Sequence, residues 1–341
     1  MKFCTRRVQI PNMGRPTARF IKKEDSKLIC SLCPNNCSIS EGKSGICLVR
    51  YNDRGTPSLP FYGKLSAISV DPIEKKPLYH FYPSKTILSI GFVGCSFRCP
   101  FCQNYSISQS TERGLEYVAP EEIVDGAVNR NSFGIAYTYS EPLVHFEYVL
   151  DCSIAAREKG LQNVLVTNGY INPEPAAELL QYSDAANIDL KSFNEDFYKR
   201  EIGGRLQPVK DFIKYAAGQI HIEVTTLVIP GKNDSDEEIR AIASFLADIR
   251  PDIPYHISCY YPTYKYTIPR TSADLVRHLA EVARERLQYV YLGNVGIEET
   301  NTYCPGCGQL LIQRSGYSTR FLGIKNGRCS KCGIEIPVIN G

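Results

Sequence analysis

The chain has 341 residues, of which 43% are hydrophobic and 22% charged, so it should hold one large domain with smaller appendages, or two domains, and cannot be largely disordered. Its 39 Lys and Arg against 36 Asp and Glu leave a net charge of +3, too even to argue for a nucleic-acid partner. No run of about 18 apolar residues exists, and the N-terminus lacks the apolar stretch of a secretory signal, so a cytoplasmic protein is expected.

In chain order, residues 1–84 read as an irregular, Cys-rich N-terminal extension, with Cys30, Cys33, Cys37 and Cys47 embedded in CSLCPNNCSISEGKSGIC. From residue 85 short β-rich runs alternate with helical stretches. Strands are expected at residues 86–93 (TILSIGFV), 134–139 (GIAYTY), 163–167 (NVLVT), 186–190 (ANIDL), 221–229 (HIEVTTLVI), 254–260 (PYHISCY) and 288–292 (QYVYL). Between them PLVHFEYVLDCSIAAREKG ends on Gly160, a plausible helix stop, SDEEIRAIASFLADI opens with Ser235 and Glu238 in capping-box spacing, and TSADLVRHLAEVARERL is a third amphipathic helix. Apolar strands separated by helices indicate a parallel sheet buried on both faces. Polar residues gather just after the strand runs, where parallel barrels build their active sites. The fold class expected is therefore α/β, a partial or full (β/α) barrel over residues 85–296, followed by a tail at residues 297–341. Neither GxGxxG nor GxxxxGK[ST] occurs, which argues against dinucleotide and P-loop chemistry.

The cysteines set the chemistry. Of 14, all but Cys4, Cys152 and Cys259 fall into three clusters, and a long chain without an export signal points to metal ligands rather than disulfides. Cys95, Cys99 and Cys102, spaced CxxxCxxC after the first barrel strand, can hold three irons of a [4Fe–4S] cube and leave the fourth open; the plainer alternative is zinc completed by a distant residue. Cys304, Cys307, Cys329 and Cys332 form two CxxC knuckles each followed by glycine, a zinc-ribbon pattern. Cys30, Cys33, Cys37 and Cys47 suit either zinc or an auxiliary iron–sulfur cluster.

The motif GCSFRCPFCQN at the end of a first barrel strand resembles the radical S-adenosylmethionine (radical SAM) superfamily, in its glycyl-radical-enzyme activating branch typified by pyruvate formate-lyase activating enzyme. TYSEP, VTNGY, NIDLKSF, TLVIPGKND and PYH are similar to segments of that branch in the same order, with TYSEP standing where the activating enzymes carry Gly-Gly-Glu-Pro. Over residues 30–341 the chain looks closer still to the radical SAM protein of the AmmeMemoRadiSam system, through DPIEKKPLYHF, AYTYSEP, DLKSF, VYLGN and both outer cysteine clusters.

The resemblance implies an oxidoreductase that reductively cleaves S-adenosylmethionine at a [4Fe–4S] cluster held by Cys95, Cys99 and Cys102. The resulting 5′-deoxyadenosyl radical would abstract hydrogen from a protein or peptide, or alternatively from a small molecule. Glu141 would meet the methionine ammonium, Asn168 the methionine portion or ribose, and Asp189, Lys191 and His256 the cofactor. For each, a structural reading stands beside this one: a helix start for Glu141, an Asn-Gly turn for Asn168, a mutual ion pair for Asp189 and Lys191, and a hydrogen-bonded core residue for His256. Implied partners are a flavodoxin- or ferredoxin-type electron donor, an AMMECR1-domain protein and a Memo-like protein. A rival from another class is a non-catalytic zinc-binding module.

Overall fold

The computed structural model describes residues 16–111, 115–295 and 300–340; Cys4 and the boundary expected at residue 296 lie outside them. All seven expected strands form: β2 (Thr86–Gly91), β3 (Gly134–Thr138), β4 (Gln162–Thr167), β5 (Ala185–Asp189), β6 (His221–Val228), β7 (Tyr255–Cys259) and β8 (Val290–Gly293), numbered after an edge strand, β1 (Ala67–Pro72). They are neighbours in that order and run parallel. The sequence reading passed over β1, which runs antiparallel to β2. Among the described residues β1 and β8 are the two edges of an open sheet.

Alternation along each strand sorts side chains to two faces. Leu88, Ile90, Ile135, Leu165, Ala186 and Ile188 join the main core beneath the helices. Ile87, Ala136, Val164 and Ala185, from four successive strands, meet Ile73, Leu78 and Phe81 on the other face. Residues 73–82 thus plug this face of the sheet, which is open at β1 and β8 and is a partial rather than a closed barrel.

The helices are α1 (Pro120–Asn129), α2 (Phe146–Glu158), α3 (Pro173–Leu180), α4 (Leu206–Ala217), α5 (Asp236–Ile249) and α6 (Ala273–Arg284). Ser235 caps α5 by accepting from the Glu238 amide at 3.2 Å. The expected return bond of a capping box is not what Glu238 makes: its carboxylate accepts from Ser192 Oγ and the Phe193 amide, both at 2.5 Å, tying α5 to the loop after β5. No helix among the described residues is long and apolar enough to cross a membrane.

The extension and the tail both attach to the barrel. A small antiparallel sheet (Ile21–Glu24, Lys27–Cys30, Cys37–Ile39) carries Cys30 opposite Cys37. Beyond it Arg50 is 1% exposed and makes a bidentate pair with Glu147 of α2, both bonds at 2.9 Å. At the far end the tail binds the plug: His80 Nδ1 lies 3.0 Å from the Pro337 carbonyl, the Tyr82 amide donates to Ile339 at 2.7 Å, and Arg314 Nη2 donates to the Tyr79 carbonyl at 2.7 Å. Breaking one side of a buried ion pair strands the other charge, at a cost of about 3–5 kcal/mol. Arg50→Met should therefore lower the unfolding free energy by roughly that amount, read from urea midpoints; an unchanged midpoint would mean the extension is not held by this pair.

Candidate active site

The loop after β2 carries Cys95, Cys99 and Cys102 as free thiols. It has little regular structure, and backbone bonds to three separate segments hold it: the Gly94 amide to Ile107 at 2.8 Å, Arg98 to Ile202 at 2.9 Å, and Lys265 to Pro100 at 2.9 Å. Arg98 also folds its guanidinium onto the carbonyls of Cys95 and Phe97, at 3.0 and 2.9 Å. Gly94 has φ +76°, and a side chain there would put its Cβ 2.2 Å from the Cys47 carbonyl, so only glycine lets the extension press this closely against the loop. Phe97 and Phe101 are buried. Phe97 packs on Tyr170 with ring centres 4.7 Å apart, and Phe101 on Tyr266 at 5.7 Å. Of the three thiols Cys99 is buried, and Cys95 and Cys102 are half-buried. Burial accordingly pushes the Cys95 thiol well up and that of Cys99 to about 12, as expected for cysteines that lose their proton on binding metal rather than in solution.

Glu141 follows β3 and is 1% exposed. Its carboxylate accepts from Thr167 Oγ1 at 2.6 Å, the Asn168 amide at 2.9 Å and the Leu143 amide at 3.1 Å, the last as cap of a 3₁₀ turn at Pro142–His145. Burial raises its pKa to about 7 despite these donors. Just before it Tyr139 and Ser140 have φ of +47° and +79°, a conformation costing L-residues roughly 1–2 kcal/mol each. Tyr139 is pinned there by its hydroxyl, which donates to Asp71 at 2.8 Å and accepts from the buried Lys76 ammonium at 2.9 Å. Ser140 Oγ is buried without a hydrogen-bond partner among the described residues.

Asn168 directs its side chain to its own turn and to the cysteine loop: Oδ1 accepts from the Tyr170 amide at 2.9 Å, and Nδ2 donates to Ser96 Oγ at 3.0 Å with Cys95 Sγ 3.7 Å away. Asp189 and Lys191 pair at 2.6 Å and remain partly exposed, 33% and 19%. Burial alone would lower the Lys191 pKa, but Asp189 and the adjacent Cys99 outweigh it and raise it, so the ammonium sits within electrostatic reach of the cysteine loop. His256 is 3% exposed and lies 2.6 Å from Glu223 through Nε2. Glu223, fully buried in β6, also meets His221 at 3.1 Å and accepts from the His80 amide at 2.7 Å. Burial would raise its carboxyl, yet the two imidazoles hold it well below the usual range.

Sequence reasoning missed Thr167, Ser96 and Glu223. For Glu223 a signal existed, since a carboxylate in the middle of an apolar parallel strand requires a buried partner.

The ribbon cysteines converge differently. Cys304 and Cys332 place their sulfurs 3.5 Å apart, Cys307 and Cys329 3.7 Å, close to the ~3.8 Å edge of a tetrahedron with Zn–S of about 2.3 Å. Cys329 is pulled down to about 6 by amide donors of the second knuckle, that of Cys332 first, which suits a thiolate ligand. These four residues could hold one zinc ion.

Residues 89–246 match the Radical SAM superfamily. The chain is 43% identical over 331 residues to the uncharacterized protein MJ0808 of Methanocaldococcus jannaschii, covering 94% of this chain and 98% of that one. It is 27% identical over 179 residues to pyruvate formate-lyase 1-activating enzyme of Escherichia coli K12, covering 48% of this chain and 72% of the relative. The crystal structure of SuiB from Streptococcus suis superposes with a TM-score of 0.48 at 16% identity, over 63% of this chain and 48% of that one. The chain belongs to the radical SAM superfamily, and it is an enzyme. That family implies a [4Fe–4S] cluster and S-adenosylmethionine. The donor set fits them, since three free buried or half-buried thiols share one loop, with an orphaned buried hydroxyl at Ser140 and an acidic group at Glu141 nearby.

His145 lies behind the site, buried, with Nε2 2.8 Å from the Val93 carbonyl and its ring stacked on Phe92. Burial lowers its pKa from 6.5 to about 4. The unfolded chain thus binds more protons between these values, so its contribution to stability is complete above pH ~6.5 and is lost as pH falls toward 4. His145→Gln should flatten the fall in urea midpoint between pH 6.5 and 5 by close to one proton, about 1.4 kcal/mol per pH unit; an unchanged slope would show that the imidazole is not what titrates.

Proposed function

We propose that the enzyme reductively cleaves S-adenosylmethionine to a 5′-deoxyadenosyl radical and uses it to abstract hydrogen from a protein or peptide, in the manner of the glycyl-radical activating enzymes it is similar to. The observation that carries this reading is the set of three free thiols on one externally braced loop at the C-terminal end of β2, a loop whose Phe97 and Phe101 pack on neighbouring rings. A cluster bound by Cys95, Cys99 and Cys102 would keep one iron open to chelate the methionine amino and carboxylate groups and would supply the electron to the sulfonium.

The protein's own residues would do the rest. Glu141 uses three of a carboxylate's roughly four acceptor positions on protein donors, leaving one for the methionine ammonium, a charge-assisted bond. Burial raises its pKa, so a bound cation would strengthen its ionised form. The Asp189–Lys191 pair, partly exposed at the end of β5, would contact the nucleoside or the methionine carboxylate by exchanging its mutual bond for ligand bonds. Asn168 would act through Ser96 and Cys95, orienting the cysteine loop, and His256 would be aimed by Glu223. Zinc in the ribbon would be structural. The electron donor in this reading is a flavodoxin or ferredoxin in the cytoplasm, and the functional associates are an AMMECR1-domain protein and a Memo-like protein.

Replacing Cys95, Cys99 and Cys102 together by alanine should abolish release of 5′-deoxyadenosine on reduction with S-adenosylmethionine; continued release would sink the assignment. Glu141→Gln should leave bound iron unchanged and weaken equilibrium binding of S-adenosylmethionine by roughly 10- to 100-fold, the value of one hydrogen bond to a charged group. Unchanged affinity would reduce Glu141 to a helix cap.

A further inference from the structure

We propose that Cys30, Cys33, Cys37 and Cys47 hold a second [4Fe–4S] cluster rather than zinc. The comparison that decides it is internal to the molecule. Among the described residues the ribbon cysteines are the one group of three or more His, Cys, Asp or Glu whose ligand atoms all lie within 4.8 Å of one another. That closeness is what a single tetrahedral ion demands, with Zn–S near 2.3 Å. A cube of four irons and four sulfides holds its thiolates further apart. Cys95, Cys99 and Cys102, the trio read above as cluster ligands, do not close to the single-ion spacing. Cys30, Cys33, Cys37 and Cys47 side with that trio and not with the ribbon, and to this extent the inference rests on the proposed function.

The four are nevertheless a built group. All are free thiols, three of them buried and Cys37 half-buried, and Cys33 lies within electrostatic reach of the other three. One backbone amide already bonds a sulfur, Ile46 donating to Cys37 Sγ at 3.4 Å, and the amides of Asn35 near Cys33 and of Val49 and Arg50 near Cys47 favour the ionised thiolates. Such donors stabilise the negative charge of cluster thiolates. The hairpin that sets Cys30 opposite Cys37 fixes two corners, and the loops through Cys33 and Cys47 bring the others. Four thiolates occupy all four irons, so this cluster would not be a second site for S-adenosylmethionine. It would lie directly against the first: Asn35 Nδ2 donates to the Ser96 carbonyl at 2.9 Å, and the Cys47 carbonyl fills the space over Gly94.

Iron, sulfide and zinc counted per chain in anaerobically purified full-length protein test this. The wild type should carry about eight irons and one zinc, and the Cys95, Cys99, Cys102 triple alanine variant about four irons, four sulfides and one zinc. About four irons with two zincs in the wild type, and no iron in the variant, overturns the second cluster while leaving the proposed function standing. About four irons and one zinc in the wild type, all kept by the variant, would support the N-terminal cluster and defeat the reading of the CxxxCxxC loop. A chain with no iron in either form overturns both.

Discussion

Three thiols can act as one ligand set only if the loop that carries them cannot change shape, and this loop has little secondary structure to supply that rigidity. It is held instead by main-chain bonds from the helical turn at Tyr105–Ser108, from the turn ending at Ile202 and from the segment after β7. The N-terminal extension presses on it at Gly94. Four parts of the chain far apart from one another in sequence therefore converge on the loop at residues 94–102. Sites are most sharply defined when their supports are packed and hydrogen-bonded elements of the fold. Here the barrel supplies the platform and the irregular segments supply the clamps.

The sheet buries several charged side chains, and each of them is paired. Glu223 serves His221, His256 and the His80 amide, while Asp71 serves Lys75, Lys76 and Tyr139. Each carboxylate is stripped of water and each is satisfied, the condition under which buried networks specify one arrangement rather than loosen it. Tyr139 joins the second network to the strained backbone before Glu141, so a charge cluster on the edge strand governs the shape of a turn beside the cysteine loop.

Much of this was legible in the sequence. The CxxxCxxC spacing and the seven strand runs identify the chemistry and the sheet, because the ligand spacing is local and parallel strands are apolar on both faces. The edge strand β1 was not legible. Its residues AISVDP end in proline, and much of it is exposed, so neither alternation nor a continuous apolar run marks it. Pairings across the fold were hidden for a different reason. Nothing local to His256 announces Glu223, 33 positions away, and nothing in SDEEI shows that Glu238 turns from its own helix end to Ser192. Asn168 shows the limit from the other side, since its Asn-Gly turn was legible while the atoms its side chain touches, Ser96 and Cys95, could be known only from coordinates.

The tail that carries the ribbon also seals the base of the barrel, through Pro337 and Ile339 against His80 and Tyr82 and through Arg314 against Tyr79. During synthesis the plug at residues 73–82 leaves the ribosome long before these partners do. The floor of the sheet therefore closes only once residues 314–339 have emerged, so completing the interior is coupled to folding of the segment that carries the ribbon.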